Sequence, residues 1–243
     1  MDLKELDLVD PHSHWYYQSK LEGVRRLLRN STASAPSIVD IGAGSGFFSL
    51  ALAADHSQAR VMCVDPNYSA TDLATTGQVQ FVRSADSQEL ARADVMLFID
   101  VLEHVDDARG LLAEYVDHAS AGCRVVISVP AFMSLWSPHD DFLEHRYRYT
   151  LREIESVVKA AGLRIIEGRY LFASIVVPVW IIRRLKRSAG PRSDLKPAPP
   201  ALNALLRSVL KLEHRFLRTR LAGLSALVLA EVQEEAGGQA DSE

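Results

Sequence analysis

Residues 37–53 read SIVDIGAGSGFFSLALA. An apolar run ends at Asp40, passes through Gly42, Ala43, Gly44, Ser45 and Gly46, and continues from Phe47 as a helix-forming stretch. Glycine enters left-handed backbone without a Cβ penalty. The spacing therefore predicts a buried strand, a tight loop that a ligand can approach closely, and a helix whose free N–H groups favour a negative group. A purely structural turn is the alternative, but three glycines are entropically costly for that purpose.

Working outward, short β-branched runs alternate with helical patterns from residue 36 to residue 170, as in a doubly wound parallel sheet. Strands are expected at Ser37 to Ile41, Arg60 to Asp65, Val79 to Arg83, Ala93 to Ile99, Arg124 to Val129 and Leu163 to Tyr170. Several are apolar on both faces, as helices on both sides require. Helices are expected at Ser13 to Arg29, Phe47 to Ala54, Asp106 to Ser120 and Leu151 to Ala161. A final strand lies in Leu224 to Val232.

The 243 residues are 48% hydrophobic and 24% charged, which excludes a disordered chain, a collagen and a mini-protein. The net charge of -4 averages two unlike parts. Residues 183 to 220 carry 11 Lys+Arg against 2 acids, and the remainder, 16 basic against 29 acidic, is strongly acidic. Cys63 and Cys123 sit in apolar runs, pointing to a reducing compartment. The acidic MDLKELDLVD start has no signal-peptide pattern, so a cytoplasmic location is expected.

Glycine loops of this kind also serve nicotinamide enzymes, in the form G-x-G-x-x-G. Here the third glycine follows the second by two positions and Asp40 stands two before the first. This form resembles the first motif of the class I S-adenosylmethionine-dependent methyltransferases, acid-x-G-x-G-x-G. The resemblance extends through DVMLFIDVLEHV, which ends the fourth strand, GCRVVISVPAF at the fifth and LSALVLAEV at the seventh, which in this family inserts antiparallel. It implies an α/β, Rossmann-like, doubly wound sheet of seven strands and S-adenosylmethionine as cofactor. Asp40, Gly42, Ala43, Gly44 and Gly46 are then the cofactor loop. Asp65 with Pro66 would meet the ribose, or Asp65 caps the strand end. Asp86 and Ser87 would meet the adenine, or Asp86 caps a helix; Asp100 adjoins the same site. A nicotinamide oxidoreductase or a non-catalytic nucleotide-binding protein is the competing reading.

In-line displacement at a sulfonium methyl asks mainly for alignment, and a hydroxyl acceptor adds the need for a base. Three candidate groups arise from position: Asp100 with Glu103 and His104 after the fourth strand and His139 with Asp140 after the fifth, both at the ligand edge, and His145 with Arg146 and Arg148 in the next loop. The base is expected to be His104 or His139. A bacterial subgroup carries WS-x-H-D and H-x-R-R-Y-T, close to Trp136, Ser137, His139, Asp140, His145, Arg146, Arg148, Tyr149 and Thr150. Trp136, His139, Asp140, His145, Arg146 and Tyr149 are accordingly expected to bind the acceptor. The two arginines either clamp an anionic group or pair with Asp140, Asp141 and Glu144. Asp100-x-x-Glu103-His104 resembles a segment of the ubiquinone-pathway O-methyltransferases where a divalent ion binds; no metal is assigned. Trp15, Tyr16 and Tyr17 either pack as a helix face or help close the pocket.

About 50 residues separate the sixth and seventh strands, where the family has a short connection. Residues 1–35 are expected as a helical cap, 36–170 as the cofactor-binding core, 171–222 as the basic insertion, 223–232 as its last strand and 233–243 as a disordered tail. In Ala201 to Leu221, Leu202, Leu205, Leu206, Val209, Leu212 and Phe216 share one helix face opposite Arg207, Lys211, Arg215 and Arg218. The insertion is read either as an anionic-membrane surface element presenting a lipid-linked acceptor, peripheral on the inner face, or as a lid or dimer contact. Nucleic acid is not expected.

Overall fold

The computed structural model describes residues 8–29, 36–185, 190, 193–217 and 219–234. The basic residues Lys186, Arg187, Arg192 and Arg218, and the tail from 235, lie outside the described residues. In chain order the elements are α1 (Trp15–Leu28), β1 (Ser37–Ile41), α2 (Phe47–Ala53), β2 (Arg60–Val64), β3 (Ala74–Thr76), β4 (Val79–Val82), α3 (Ser87–Ala91), β5 (Val95–Ile99), α4 (Ala108–Val116), β6 (Arg124–Pro130), α5 (Pro138–Phe142), α6 (Leu151–Ala160), β7 (Leu163–Leu171), α7 (Val176–Leu185), α8 (Pro200–Phe216) and β8 (Ser225–Val232).

One sheet runs in the order β3-β4-β2-β1-β5-β6-β8-β7. Strands β4, β2, β1, β5 and β6 are parallel, and β8 inserts antiparallel between β6 and β7. The sheet thus has eight strands rather than the seven expected. The extra one, β3, is three exposed residues, Ala74, Thr75 and Thr76, paired antiparallel with β4 across the Gly77 turn. Its three exposed residues carry no alternating apolar pattern to announce it.

Side-chain alternation divides the core between the two faces. Val39 and Ile41 of β1 and Met96 and Phe98 of β5 pack with Leu112 of α4 and Ile154 of α6. Ile38, Val95, Leu97 and Ile99 pack with Tyr17 and Val24 of α1, Phe48 of α2 and Leu210 of α8. The insertion therefore completes the helix layer begun by α1: His214 Nε2 donates to Ser19 O at 2.8 Å and Arg26 donates to His214 O at 3.0 Å. Helix α7 begins only at Val176, because β7 extends to Leu171 and a 3-10 turn at Ala173–Ile175 intervenes. Only the Leu206–Leu210 edge of the apolar stripe on α8 faces the body; Leu202, Leu205, Leu212 and Phe216 are exposed. Both cysteines are buried and unpaired, and burial pushes each thiol up to about 12.

Candidate active site

Parallel strands deliver their carboxyl ends to one edge, where ligands bind in open α/β sheets. At β1, Gly42, Gly44 and Gly46 have φ of 66, 53 and 70°. A Cβ on Gly42 would stand 2.6 Å from Val101 Cγ2, and one on Gly46 2.9 Å from Cys63 Sγ. Glycine is required at both places by backbone and by space. Ala43 is buried beside them, and Asp40 is 3% exposed, with burial raising its carboxyl to about 6 against the Ser49 hydrogen bond. Asp65, ending β2, accepts from Gly44 N at 3.1 Å and from Asn67 N at 2.9 Å, while Tyr68 Oη donates to Gly44 O at 2.6 Å. The loop is thus tied to the next strand, and exposed Pro66 follows. Asp86 caps α3: its carboxylate accepts from Glu89 N, and Glu89 answers at Asp86 N. Ser87 is exposed as the first residue of that helix.

After β5 the chain turns sharply. Asp100 holds φ 57°, a left-handed conformation that costs a non-glycine residue energy and recurs at functional sites. Both its carboxylate oxygens accept from Lys20 Nζ, at 2.7 and 2.5 Å. Lys20 comes from α1, is fully buried, and lies 4.8 Å from the Tyr16 ring centroid. Burial alone would discharge this ammonium, but Asp100 and Tyr16 outweigh it and hold the pKa above the ordinary lysine value. Burial likewise opposes the Asp100 carboxylate, and Lys20 outweighs it. Lys20→Met is expected to cost about 3 kcal/mol in urea unfolding, because the surviving carboxylate loses its counter-ion.

A cavity of about 240 Å³ opens beside this pair. Trp15, Tyr16 and Tyr17 of α1 wall one side and Val179, Ile182 and Arg183 of α7 another; Glu103, His104, His139, His145 and Arg148 supply polar groups. Glu103 is fully buried, and among the described residues neither carboxylate oxygen has a hydrogen-bond partner. Burial, then the Asp100 charge, push its pKa well up and favour the protonated form. His145 Nδ1 lies 2.9 Å from Asp140 Oδ1, leaving Nε2 for other work. Asp140 is fully buried and also accepts from Arg148 Nε at 2.6 Å and from Ser137 N at 2.9 Å. Burial opposes its charge, but His145 and Arg148 hold the carboxyl well below the usual range. The His104 and His145 rings meet edge-on at 4.8 Å. His139 Nδ1 accepts from Asp194 N at 3.1 Å, and burial, with Arg183, lowers its pKa to about 4.

Of the expected acceptor residues, His139 and His145 line the cavity. Asp140 stands behind them as a fully buried support. Trp136 donates to Asp141, Tyr149 Oη donates to Leu102 O, and the half-exposed Arg146 pairs with Asp106 at 2.6 Å and donates to His104 O. These three order the loop away from the cavity wall. The expected pairing of an arginine with Asp140 occurs through Arg148. Lys20, Glu103 as an isolated acid, and Arg183 were not assigned to the acceptor pocket from the sequence; nothing local marks them, since their environment comes from distant segments. Among the described residues, Glu103, His104 and His145 also offer ligand atoms within 4.8 Å of one another, a carboxylate and imidazole set that suits a divalent ion.

The profile of a methyltransferase domain family matches residues 13–167. The chain belongs to this methyltransferase family. Solved structures similar to this methyltransferase include the [4+2]-cyclase SpnF, 13% identical over 93% of this chain and 86% of that one, with a TM-score of 0.57. Another is a methyltransferase in complex with a methyltransferase activator of Haloferax volcanii, 17% identical over 91% of this chain and 95% of that one, TM-score 0.55. A third is phosphoethanolamine N-methyltransferase 2 of Haemonchus contortus with S-adenosylmethionine, 17% identical over 88% of this chain, TM-score 0.54. This chain spans 52% of the Haemonchus protein, about half its length. At such identities the likeness shows the fold. No curated protein matches the sequence. The methyltransferase uses S-adenosylmethionine. No helix among the described residues is long and apolar enough to cross a membrane.

The loop fits that cofactor. Left-handed glycines leave no Cβ over the main chain, and carboxylates at the ends of β1 and β2 offer acceptors for hydroxyl and ammonium groups.

Proposed function

We propose that this methyltransferase methylates a hydroxyl on an acceptor that is apolar at one end, such as a lipid-linked small molecule. The Asp140–His145 pair carries the reading: a fully buried carboxylate fixes one imidazole nitrogen and leaves the other for a substrate proton. Asp40, Gly42, Ala43, Gly44, Gly46 and Asp65 would hold S-adenosylmethionine, whose sulfonium would give its methyl group to the acceptor oxygen as the S–CH3 bond breaks and would leave as the neutral thioether adenosylhomocysteine. His145 takes the hydroxyl proton as oxygen attacks, and Asp140 and Arg148 keep the ring in place. Glu103, without a partner of its own, hydrogen-bonds the acceptor hydroxyl and orients it. Lys20 fixes Asp100 at the cavity wall. The apolar wall of Trp15, Tyr16, Val179 and Ile182 takes the rest of the acceptor. His139 is less suited to this task than expected, because a histidine lowered to about 4 is a weak base.

The test is incubation of the protein and labelled S-adenosylmethionine with a lipid extract and an aqueous extract, followed by mass spectrometry. An O-methylated product in the lipid extract, formed equally with EDTA present, supports the reading. Loss of activity with EDTA and recovery with a divalent ion would instead make Glu103, His104 and His145 ion ligands.

His139 also sets a pH dependence. Its folded pKa of about 4 lies below the ordinary 6.5, so the unfolded chain binds more protons in that window. Stability is expected to fall as pH drops from about 6.5 to about 4, with His14 and His214, also lowered by burial, adding to the slope. Urea midpoints of His139→Gln should fall less steeply than those of the wild type.

A further inference from the structure

We infer that the outer faces of α7 and α8 form a docking surface for an anionic lipid bilayer. Of the sixteen large hydrophobic side chains that are exposed among the described residues, eleven lie between 176 and 221. Helix α7 buries no residue and turns Val177, Trp180, Ile181 and Leu185 outward. Helix α8 does the same with Leu205 and Phe216, which are 60% and 74% exposed. Scattered apolar side chains are ordinary on a protein surface, but a concentration of this kind marks an interaction site.

Charge decides the occupant. Exposed Arg184, Arg207, Lys211 and Arg215 stand on the same two helices; on α8 the buried Leu210, Glu213 and His214 take one boundary between the apolar and basic faces, which leaves the other boundary, where Leu212 and Phe216 adjoin Arg215, turned outward. Guanidiniums cover two of the aromatic rings, Arg184 over Trp180 at 4.9 Å and Arg215 over Phe216 at 5.4 Å. Both acids of the 183 to 220 segment already have partners within the protein. Glu213 is buried and accepts from Ala173 N, Ser174 N and Ser174 Oγ, and Asp194 pairs with Arg183 at 3.0 Å. An apolar surface edged by one sign of charge matches the headgroup and acyl boundary of an anionic membrane, where rings and chains enter and guanidiniums meet phosphate. The rest of the molecule is acidic, so the attraction orients it with this face down.

The placement has a functional consequence, which rests on the cavity being the acceptor site. Ile182 lines that cavity and is also exposed, so the docked face is continuous with the cavity wall. A lipid-linked acceptor could pass from the bilayer along α7 to His145.

The test is co-sedimentation of the full chain with phosphatidylcholine vesicles, with and without about 30% phosphatidylglycerol, at low and high salt. Expected is at least tenfold tighter partitioning onto the anionic vesicles, weakened by salt. Leu205→Ser/Leu212→Ser/Phe216→Ser and Arg207→Gln/Lys211→Gln/Arg215→Gln should each reduce it at least tenfold. Adenosylhomocysteine binding, read separately by calorimetry, should stay unchanged in both variants and shows that they are folded. No sedimentation with anionic vesicles, or equal sedimentation of the variants, overturns the inference. So does a dimer in sedimentation velocity that the leucine and phenylalanine changes dissolve, since a second copy would then cover the face. Vesicle binding by a chain that methylates nothing in the lipid extract would leave the surface standing and remove the proposed acceptor.

Discussion

His145→Ala is expected to lower kcat by about two to four orders of magnitude, the usual range for a general base. Adenosylhomocysteine affinity should change little, because the cofactor loop lies on β1 and β2, apart from the segment that carries His145. Asp140→Asn separates orientation from mere presence of the ring. It leaves the imidazole in place but removes the charge that fixes it, and it disturbs Arg148 at 2.6 Å as well. Its kcat should fall less than that of His145→Ala, with some loss of stability. The acidic limb of the kcat profile should shift in Asp140→Asn, an effect that loss of packing alone would not produce. His145→Ala with wild-type kcat would remove the proposed base and return the role to His104, whose ring lies 4.8 Å away.

Gly44→Val and Asp65→Ala are expected to weaken adenosylhomocysteine binding at least about tenfold each, which is roughly 1.4 kcal/mol or more. Gly44 holds φ 53°, where a β-branched residue is strained, and its N–H donates to Asp65. Asp65→Ala removes both that tie and the carboxylate offered to the ribose. Calorimetry measures the affinity, and a cooperative thermal transition in the same samples shows that the loss is local. Wild-type affinity in both variants would remove the cofactor from this loop. Preferential binding of NADH would favour the competing oxidoreductase chemistry.

Much of the frame was legible because its signals are local. The run from Ser37 to Ala53 needs only its own residues to specify strand, loop and helix, and β1 and α2 fall within one residue of expectation. Strands apolar on both faces announced a covered parallel sheet for the same reason. The segments of Asp100 and His139 also follow β5 and β6 at their carboxyl ends, as the sequence leads one to expect. What one position does there was less legible. Asp140, Trp136, Arg146 and Tyr149 are motif residues, yet they hold the loop together, while His139, His145 and Arg148 of the same motif line the cavity. A motif records which residues occur together and leaves open which of them face a ligand.

By itself, the sequence determined a doubly wound sheet, a left-handed glycine loop after β1 and a basic segment set apart from an acidic body. The tertiary structure decided the rest, because it depends on partners distant in the chain. It placed Lys20 on Asp100, left Glu103 buried without a partner, and drew Arg183 of the insertion to the cavity. It also decided which edge of the α8 stripe meets α1 and which is left to solvent. Helical periodicity gives the width of an apolar face, but the angle at which two helices pack decides how much of that face is covered.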